Sequence, residues 1–302
     1  MNLKTTIAGV EFKNPIIVAS GTFGFGREYN TFYNVGELGG ICSKGLTLEP
    51  RLGNPPVRIA ETPSGMLNSV GLQNPGVKAF IEEELPFMES LGTVIIANAA
   101  GACEADYVKL ISILSETSVD MIEMNISCPN VKNGGMAFGV DPAGVEQIVR
   151  AVRKVCKKPL IVKLTPNVSD ITQNALAAER AGADAISLIN TVAAMAVDFK
   201  TRKPVLNVRQ GGLSGPCVKP IALKMVHDCY RKVKIPIIGM GGIMTGEDVG
   251  EFMLCGAAAV QVGTANIFDP YAAHNILNEL TKLLESGNIS DVQQLIGGLR
   301  VE

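Results

Sequence analysis

Met121-Ile122-Glu123-Met124-Asn125-Ile126-Ser127-Cys128-Pro129-Asn130 is an apolar run that ends on a thiol set between two amides. Pro129 cannot donate to a strand ladder and confines Cys128 to extended geometry, so the chain must leave a strand where the thiol sits. Val131 to Gly139 follows with Gly134, Gly135 and Gly139, the composition of a mobile loop able to fold over that point. A cysteine taken alone is more often a small buried hydrophobe. Here the polar neighbours and the glycine-rich segment favour a chemical role at the C-terminal end of a strand.

Seven further runs of this kind recur along the chain: Pro15–Ala19, Gly40–Lys44, Thr93–Asn98, Leu160–Leu164, Ala185–Asn190, Pro236–Met240 and Ala258–Gly263. Between most of them lie helical patterns with recognisable ends. Asn74-Pro75, Asp141-Pro142 and Asp269-Pro270 each place a capping side chain before a proline suited to a first turn, and Gly182 and Gly256 fit helix C-termini. Helices alternating with strands at this spacing imply parallel strands and right-handed crossovers. Eight such units predict an α/β fold, a (β/α)8 TIM barrel formed as one domain by residues 1–302, ahead of a doubly wound sheet. Two spacings, Gly45 to Gly92 and Thr191 to Lys234, are too long for a simple unit and rich in Pro, Gly and polar residues. They predict long insertions at the C-terminal face that help to build a site.

Composition narrows the function. A chain of 302 residues with 47% hydrophobic content can bury a full core, and a net charge of −2 with dispersed Lys and Arg offers no nucleic-acid or anionic-membrane surface. The N-terminus lacks the apolar core of a signal peptide and no run reaches the length of a membrane span, so a cytoplasmic protein is expected. The seven cysteines form no C-x-x-C pair, which gives no sign of a disulfide framework, an iron–sulfur cluster or a metal site in this chain.

In such a barrel the strand ends converge on one mouth, here bringing Ser20, Lys44, Asn98, Asn125, Lys163, Asn190, Gly241-Gly242 and Gly263-Thr264 together. Lysines ending apolar strands point at a partly dry cavity, where each wants an anion or a polarised carbonyl. Asparagine amides complement the edge of an imide or pyrimidine. Glycines after the seventh and eighth strands expose backbone N–H groups and point to a phosphate-bearing cofactor. His227 and His274 fall inside helical patterns and are assigned no catalytic role.

Taken together, Asn125-Ile-Ser-Cys128-Pro-Asn130, Asn68-Ser-Val-Gly-Leu72-Gln-Asn74-Pro, Lys163-Leu-Thr-Pro-Asn167 and Gly239-Met-Gly-Gly242 resemble the dihydroorotate dehydrogenases, flavin enzymes of pyrimidine synthesis. The stretch Asn130-Val-Lys-Asn-Gly-Gly-Met-Ala-Phe-Gly139 is similar to the class 1B catalytic subunit, which works with NAD through a second protein. The class 2 enzymes, with a serine base and a membrane-associating extension, fit less well. The resemblance implies one FMN per chain, contacting Ser20, Lys44, Gly45, Asn98, Asn125, Lys163, Ile189, Gly215, Gly241, Gly242, Gly263 and Thr264. It implies dihydroorotate held by Lys44, Asn68, Ser69, Val70, Gly71, Leu72, Asn125, Asn190 and Thr191. It also implies a partner subunit carrying FAD and an iron–sulfur cluster, with a homodimeric core inside a heterotetramer.

The residues suit that chemistry. Oxidising dihydroorotate takes a proton from C5 and a hydride from C6, so a base is needed on one face of the ring and flavin on the other. Cys128 is the expected base, and Lys163 the group that stabilises charge developing on the flavin. Competing readings are a fumarate-reducing class 1A enzyme, a dihydropyrimidine dehydrogenase module, and a non-redox aldolase or phosphate-sugar isomerase barrel with Lys163 or Lys44 as the working lysine.

Overall fold

The structure, a computed structural model, describes residues 1–127 and 135–300. Cys128 and the Pro129-to-Gly134 part of the expected loop lie outside the described residues. Gly135–Val140, the remainder of that segment, is a short helix where a loop was expected. Its end is held because Asn174 Nδ2 donates to the Gly139 carbonyl at 2.7 Å, and because Gly139 packs on the Ile126 carbonyl with no room for a Cβ.

Eight parallel strands close into a barrel. They are β1 (Ile16–Val18), β2 (Gly40–Cys42), β3 (Val94–Ala99), β4 (Met121–Asn125), β5 (Leu160–Lys163), β6 (Ala185–Leu188), β7 (Ile237–Met240) and β8 (Ala257–Val262). Each pairs with the next in the chain, and β8 pairs with β1. The register sets the interior. Asn98 lies opposite Glu123, Asn125 opposite Lys163, Lys163 opposite Ser187, and Met240 opposite Gln261. Because side chains alternate across a strand, residues two apart share a face and the barrel fills in layers. The lower layer is apolar, with Ile17, Cys42, Ile96, Met121, Ile161, Ala185, Ile238 and Ala259 in one buried cluster. A hairpin of Thr5–Ile7 and Val10–Phe12 plugs that end with Ile7 and Phe12.

The surrounding helices bury one stripe each. Glu104–Ser115 covers Tyr107, Leu110, Ile111 and Leu114, and Pro142–Arg153 covers Val145, Ile148, Val149 and Val152, the 3.6-residue spacing of a helix lying on a sheet. Asp141 caps the latter through the Gly144 N–H at 3.2 Å, as the Asp-Pro pair foretells. Asn74 Oδ1 and Asp269 Oδ1 do similar work at their turns, accepting from the N–H of Gly76 and Tyr271. Gly182 and Gly256 follow helix C-termini as expected.

The two long insertions join above the mouth. Ile59–Thr62 and Gly65–Asn68 from the β2–β3 insertion pair with Gly211–Ser214 and Val192–Ala194 from the β6–β7 insertion, giving a four-stranded antiparallel sheet. Gly211 and Gly212 permit the close approach, since a Cβ at Gly212 would collide with the Thr191 side chain. Among the described residues no helix is long and apolar enough to cross a membrane.

Candidate functional site

Between the barrel mouth and the antiparallel sheet lies a cleft lined from both sides. The barrel contributes Ser20, Lys44, Gly45, Asn125, Lys163, Ile189, Asn190, Thr191, Gly241, Gly242, Gly263 and Thr264; the insertions contribute Asn68, Val70, Gly71, Leu72 and Gly215. Two of the expected residues stand behind the wall. Ser69 is buried, its N–H donating to the Arg58 carbonyl, and Asn98 is fully buried one layer down.

The asparagines are already oriented. Asn190 Nδ2 donates to Ser127 Oγ at 2.7 Å, and Ser127 Oγ donates to Asn125 Oδ1 at 2.8 Å. The Asn125 backbone carbonyl accepts from the Tyr107 hydroxyl at 2.7 Å, which ties the end of β4 to the helix behind it. With the Asn125 side-chain oxygen committed inward, its amide N–H groups are what remain for a ligand. Asn167 extends the array, donating to the Thr191 carbonyl and accepting from the Ala193 N–H.

One wall is glycine backbone. Gly215, Gly241 and Gly242 all have positive φ, at 99°, 122° and 81°. Asp248 braces this turn: one carboxylate oxygen accepts from the N–H of Met244 and Thr245, the other from Lys219 Nζ. Facing it, Thr264 Oγ1 donates to Ser214 Oγ at 2.8 Å, and a Cβ on Gly263 would find its nearest neighbour at 3.6 Å. Space beside Gly263 and a rigid turn at Gly242 are what a backbone anion site requires.

The two lysines sit in different settings. Lys44 is half-buried at the cleft wall with no anionic partner among the described residues, and burial, reinforced by the Arg58 charge, lowers its pKa. Its ammonium is therefore lost at lower pH than an ordinary lysine's, unless an anion is bound beside it. Lys163 is buried on the cleft floor, with its Nζ 3.6 Å from Glu123 Oε1.

Glu123 is the residue that reading the sequence missed. It is fully buried, and around it Asn98 Nδ2 (2.6 Å) and Cys42 Sγ (3.4 Å) donate to Oε1 while Ser187 Oγ and Gln261 Nε2 (2.8 Å each) donate to Oε2. Burial pushes its pKa up, but the Lys163 charge and the hydrogen bonds from Ser187, Gln261 and Asn98 outweigh that and leave it lowered. Gln261, also unforeseen, lines the cleft and has a buried side-chain oxygen with no partner among the described residues, as does Asn98. A signal existed for both: Glu123 is the one charged residue of Met121–Ile126 and Gln261 the one polar residue of Ala257–Val262, each at a position whose period-2 neighbours face the barrel interior.

His274 is tied to Glu37 on the outer surface and His227 lies in the Lys219–Tyr230 helix, neither among the lining residues. The described cysteines, 42, 103, 156, 217, 229 and 255, are all free.

Barrel and cleft together define a (β/α)8 enzyme that works at its C-terminal mouth. The family model for dihydroorotate dehydrogenase matches residues 2–284. The chain belongs to the dihydroorotate dehydrogenase family. It is 55% identical over 301 residues, spanning the whole of both chains, to a Caldicellulosiruptor bescii protein named dihydroorotate dehydrogenase B (NAD(+)), catalytic subunit. Proteins of the same name from Thermoanaerobacter pseudethanolicus (51% over 302 residues, all of both chains) and Listeria innocua (52% over 294 residues, 97% of each chain) are similarly related.

Proposed function

We propose that this chain is the catalytic subunit of an NAD-linked dihydroorotate dehydrogenase, oxidising dihydroorotate to orotate in de novo pyrimidine synthesis. The observation that carries the reading is full-length identity of 51–55% to relatives of that name, in a chain whose cleft gathers two lysines, a set of oriented amides and a glycine turn.

FMN, the cofactor the family implies, fits the residues present. Gly241, Gly242, Gly263 and Thr264 would take its phosphate on backbone N–H groups, Lys163 would lie at its ring, and the unpartnered Gln261 oxygen offers an acceptor. When bound, FMN supplies the hydride acceptor. The chain's residues do the rest. Lys44 pairs with the substrate carboxylate; Asn68, Val70, Gly71, Leu72, Asn125, Asn190 and Thr191 orient the pyrimidine, with Ser69 supporting that loop from behind. Cys128, outside the described residues, is the base that takes the C5 proton. The sheet over the mouth excludes water from the cleft.

Replacing Lys44 with Ala should raise KM for dihydroorotate about 10–100-fold, the scale of a lost charge-assisted hydrogen bond, with a smaller effect on kcat. The wild-type KM should rise at alkaline pH as the lowered Lys44 pKa is passed. Steady-state assays across pH, with dye as acceptor, test both, and an unchanged KM in Lys44→Ala would place the carboxylate elsewhere.

Electrons must then leave the chain. No Gly-x-Gly-x-x-Gly unit opens a helix after a strand, so NAD is reduced on a second subunit carrying FAD and an iron–sulfur cluster. Two such partners flank a homodimeric core, in the cytoplasm. The purified chain should be reduced by dihydroorotate and reoxidised by dyes, and should reduce NAD only after the partner is added. Rapid NAD reduction by the chain alone, or fumarate turnover as fast as dye turnover, would return the reading to a self-sufficient enzyme.

A further inference from the structure

The polar layer beneath the cleft is not explained by packing. One layer lower, Ile17, Ile96, Met121, Ile161 and Ile238 fill the same barrel with apolar side chains. Continuing that pattern upward would fill it too, and buried ion pairs are weak sources of stability compared with apolar residues of similar volume. Yet polar side chains from four strands converge on Glu123 of β4, Asn98 from β3, Lys163 from β5, Ser187 from β6 and Gln261 from β8, and the Cys42 thiol of the apolar layer reaches it from β2. The arrangement is asymmetric. Among the described residues four neutral donors fix the carboxylate, and the one cation it faces lies on the cleft floor.

We propose that Glu123 is a positioning residue for the flavin reaction, holding the Lys163 side chain as an ammonium at the cleft floor before any electron arrives. The proposal rests on the reading that FMN occupies this cleft.

Glu123 is the only anionic partner of Lys163 among the described residues. The other titratable groups nearby cannot replace it. Cys42 is fully buried, and burial together with the Glu123 charge raises its pKa, so it stays a thiol. Lys44, on the same cleft, is itself a cation. An ammonium left in this buried position without a counter-charge would carry an uncompensated desolvation cost, which favours the neutral amine.

The consequence is a matter of proton count. Two electrons entering a flavin beside a lysine that is already charged draw in one proton, because the ammonium balances the remaining negative charge of the reduced ring. If the lysine starts neutral, the same two electrons draw in two protons, one to the ring and one to the lysine. The midpoint potential therefore falls with pH at a rate that counts the protons. One proton per two electrons gives about 30 mV per pH unit and two give about 60 mV, from the tenfold change in proton activity at 29.6 mV per decade.

The test is the midpoint potential of bound FMN between pH 7 and pH 9, measured against redox dyes. The wild type should show a slope of about 30 mV per pH unit and Glu123→Gln about 60 mV. Adding Lys163→Arg to Glu123→Gln should bring the slope back to about 30 mV, since a guanidinium keeps its charge without a partner. A protein in which Glu123 merely supports the fold would show no such return. Glu123→Asp, which withdraws the carboxylate by one methylene, is the second variant should Glu123→Gln not accumulate, and its slope should steepen toward pH 9. The idea fails if the wild type already shows the two-proton slope, or if the FMN-loaded Gln or Asp variant keeps the wild-type slope, even at a shifted potential. Wild-type protein that binds no FMN would instead remove the cofactor reading on which the proposal stands.

Discussion

Gly242→Val is expected to yield a barrel that has lost FMN, with affinity reduced at least about 10²-fold. At a φ of 81° the residue occupies a region that β-branched side chains avoid, and strain there costs about 1–3 kcal/mol. An ideal Cβ would also lie 2.8 Å from the Gly215 carbonyl oxygen and 2.8 Å from the Lys219 nitrogen. Backbone on that side cannot give way cheaply, because Gly215 has a positive φ of its own and Lys219 begins a helix whose ammonium is held by Asp248. Overpacking adds about 1–3 kcal/mol. The two effects together, about 2–6 kcal/mol, drive the turn out of its anion-binding conformation and span the roughly 2.7 kcal/mol that a hundredfold loss represents. Gly263→Ala separates a broken scaffold from a blocked site. Its Cβ meets nothing closer than 3.6 Å, so the apo protein should melt as the wild type does while FMN binds more weakly. Flavin titration followed by fluorescence quenching measures both variants. Full FMN content in Gly242→Val would show that the cofactor does not depend on this turn.

What the sequence made legible follows from how local each signal is. Strand boundaries fall within two residues of their expected positions, since β-branched runs between glycines and prolines depend on little beyond the run itself: Ala185–Asn190 became Ala185–Leu188, and Pro236–Met240 became Ile237–Met240. Glu123 was hidden by that same logic. A window reading Met121 to Ile126 as apolar averages away one carboxylate, although its inward position between Met121 and Asn125 makes it costly there without partners. Four of the side chains that satisfy it come from strands distant in sequence, which no local pattern reports. The antiparallel sheet over the mouth was illegible for a related reason. Gly211-Gly212-Leu213-Ser214 has little intrinsic strand character, and it becomes a strand because Gly65–Asn68, some 140 residues earlier, supplies a partner close enough that only glycine fits.

The same distinction separates the two lysines. Both end apolar runs and both were expected to seek an anion or a polarised carbonyl. Lys163 finds one inside the barrel, whereas Lys44 has none among the described residues and is left to a ligand. On the proposed reading the cleft presents one cation whose counter-charge is built in and one whose counter-charge would arrive with the substrate. That division suits a reaction in which one lysine faces charge created during turnover and the other faces charge the substrate already carries.

Cys128→Ala is expected to bind FMN normally and to lose dihydroorotate-driven flavin reduction by about 10²-fold or more, the scale of a positioned base. The residue lies outside the described part of the chain, but what precedes it is informative. Asn190 and Asn125, which line the cleft, are joined by hydrogen bonds through Ser127, the residue directly before Cys128. A thiol attached there follows a strand end already fixed by Tyr107. A thiol at the reference pKa of about 8.5 is largely protonated at neutral pH unless neighbouring donors favour its thiolate, so the wild-type reduction rate should climb with pH and level off once the thiolate dominates. Cys128→Ser should fall between wild type and alanine, with its profile displaced to higher pH because a hydroxyl is the weaker base. Anaerobic stopped-flow mixing with dihydroorotate, following loss of the oxidised flavin absorbance at several pH values, reads all three proteins in one experiment. The shape of the profile matters as much as the size of the loss. If the alanine variant keeps the wild-type rise with pH at a uniformly lower rate, the titrating group is another residue and Cys128 serves only to shape the cleft. A flat, slow alanine profile beside a displaced serine profile would identify the proton acceptor as the atom borne at position 128.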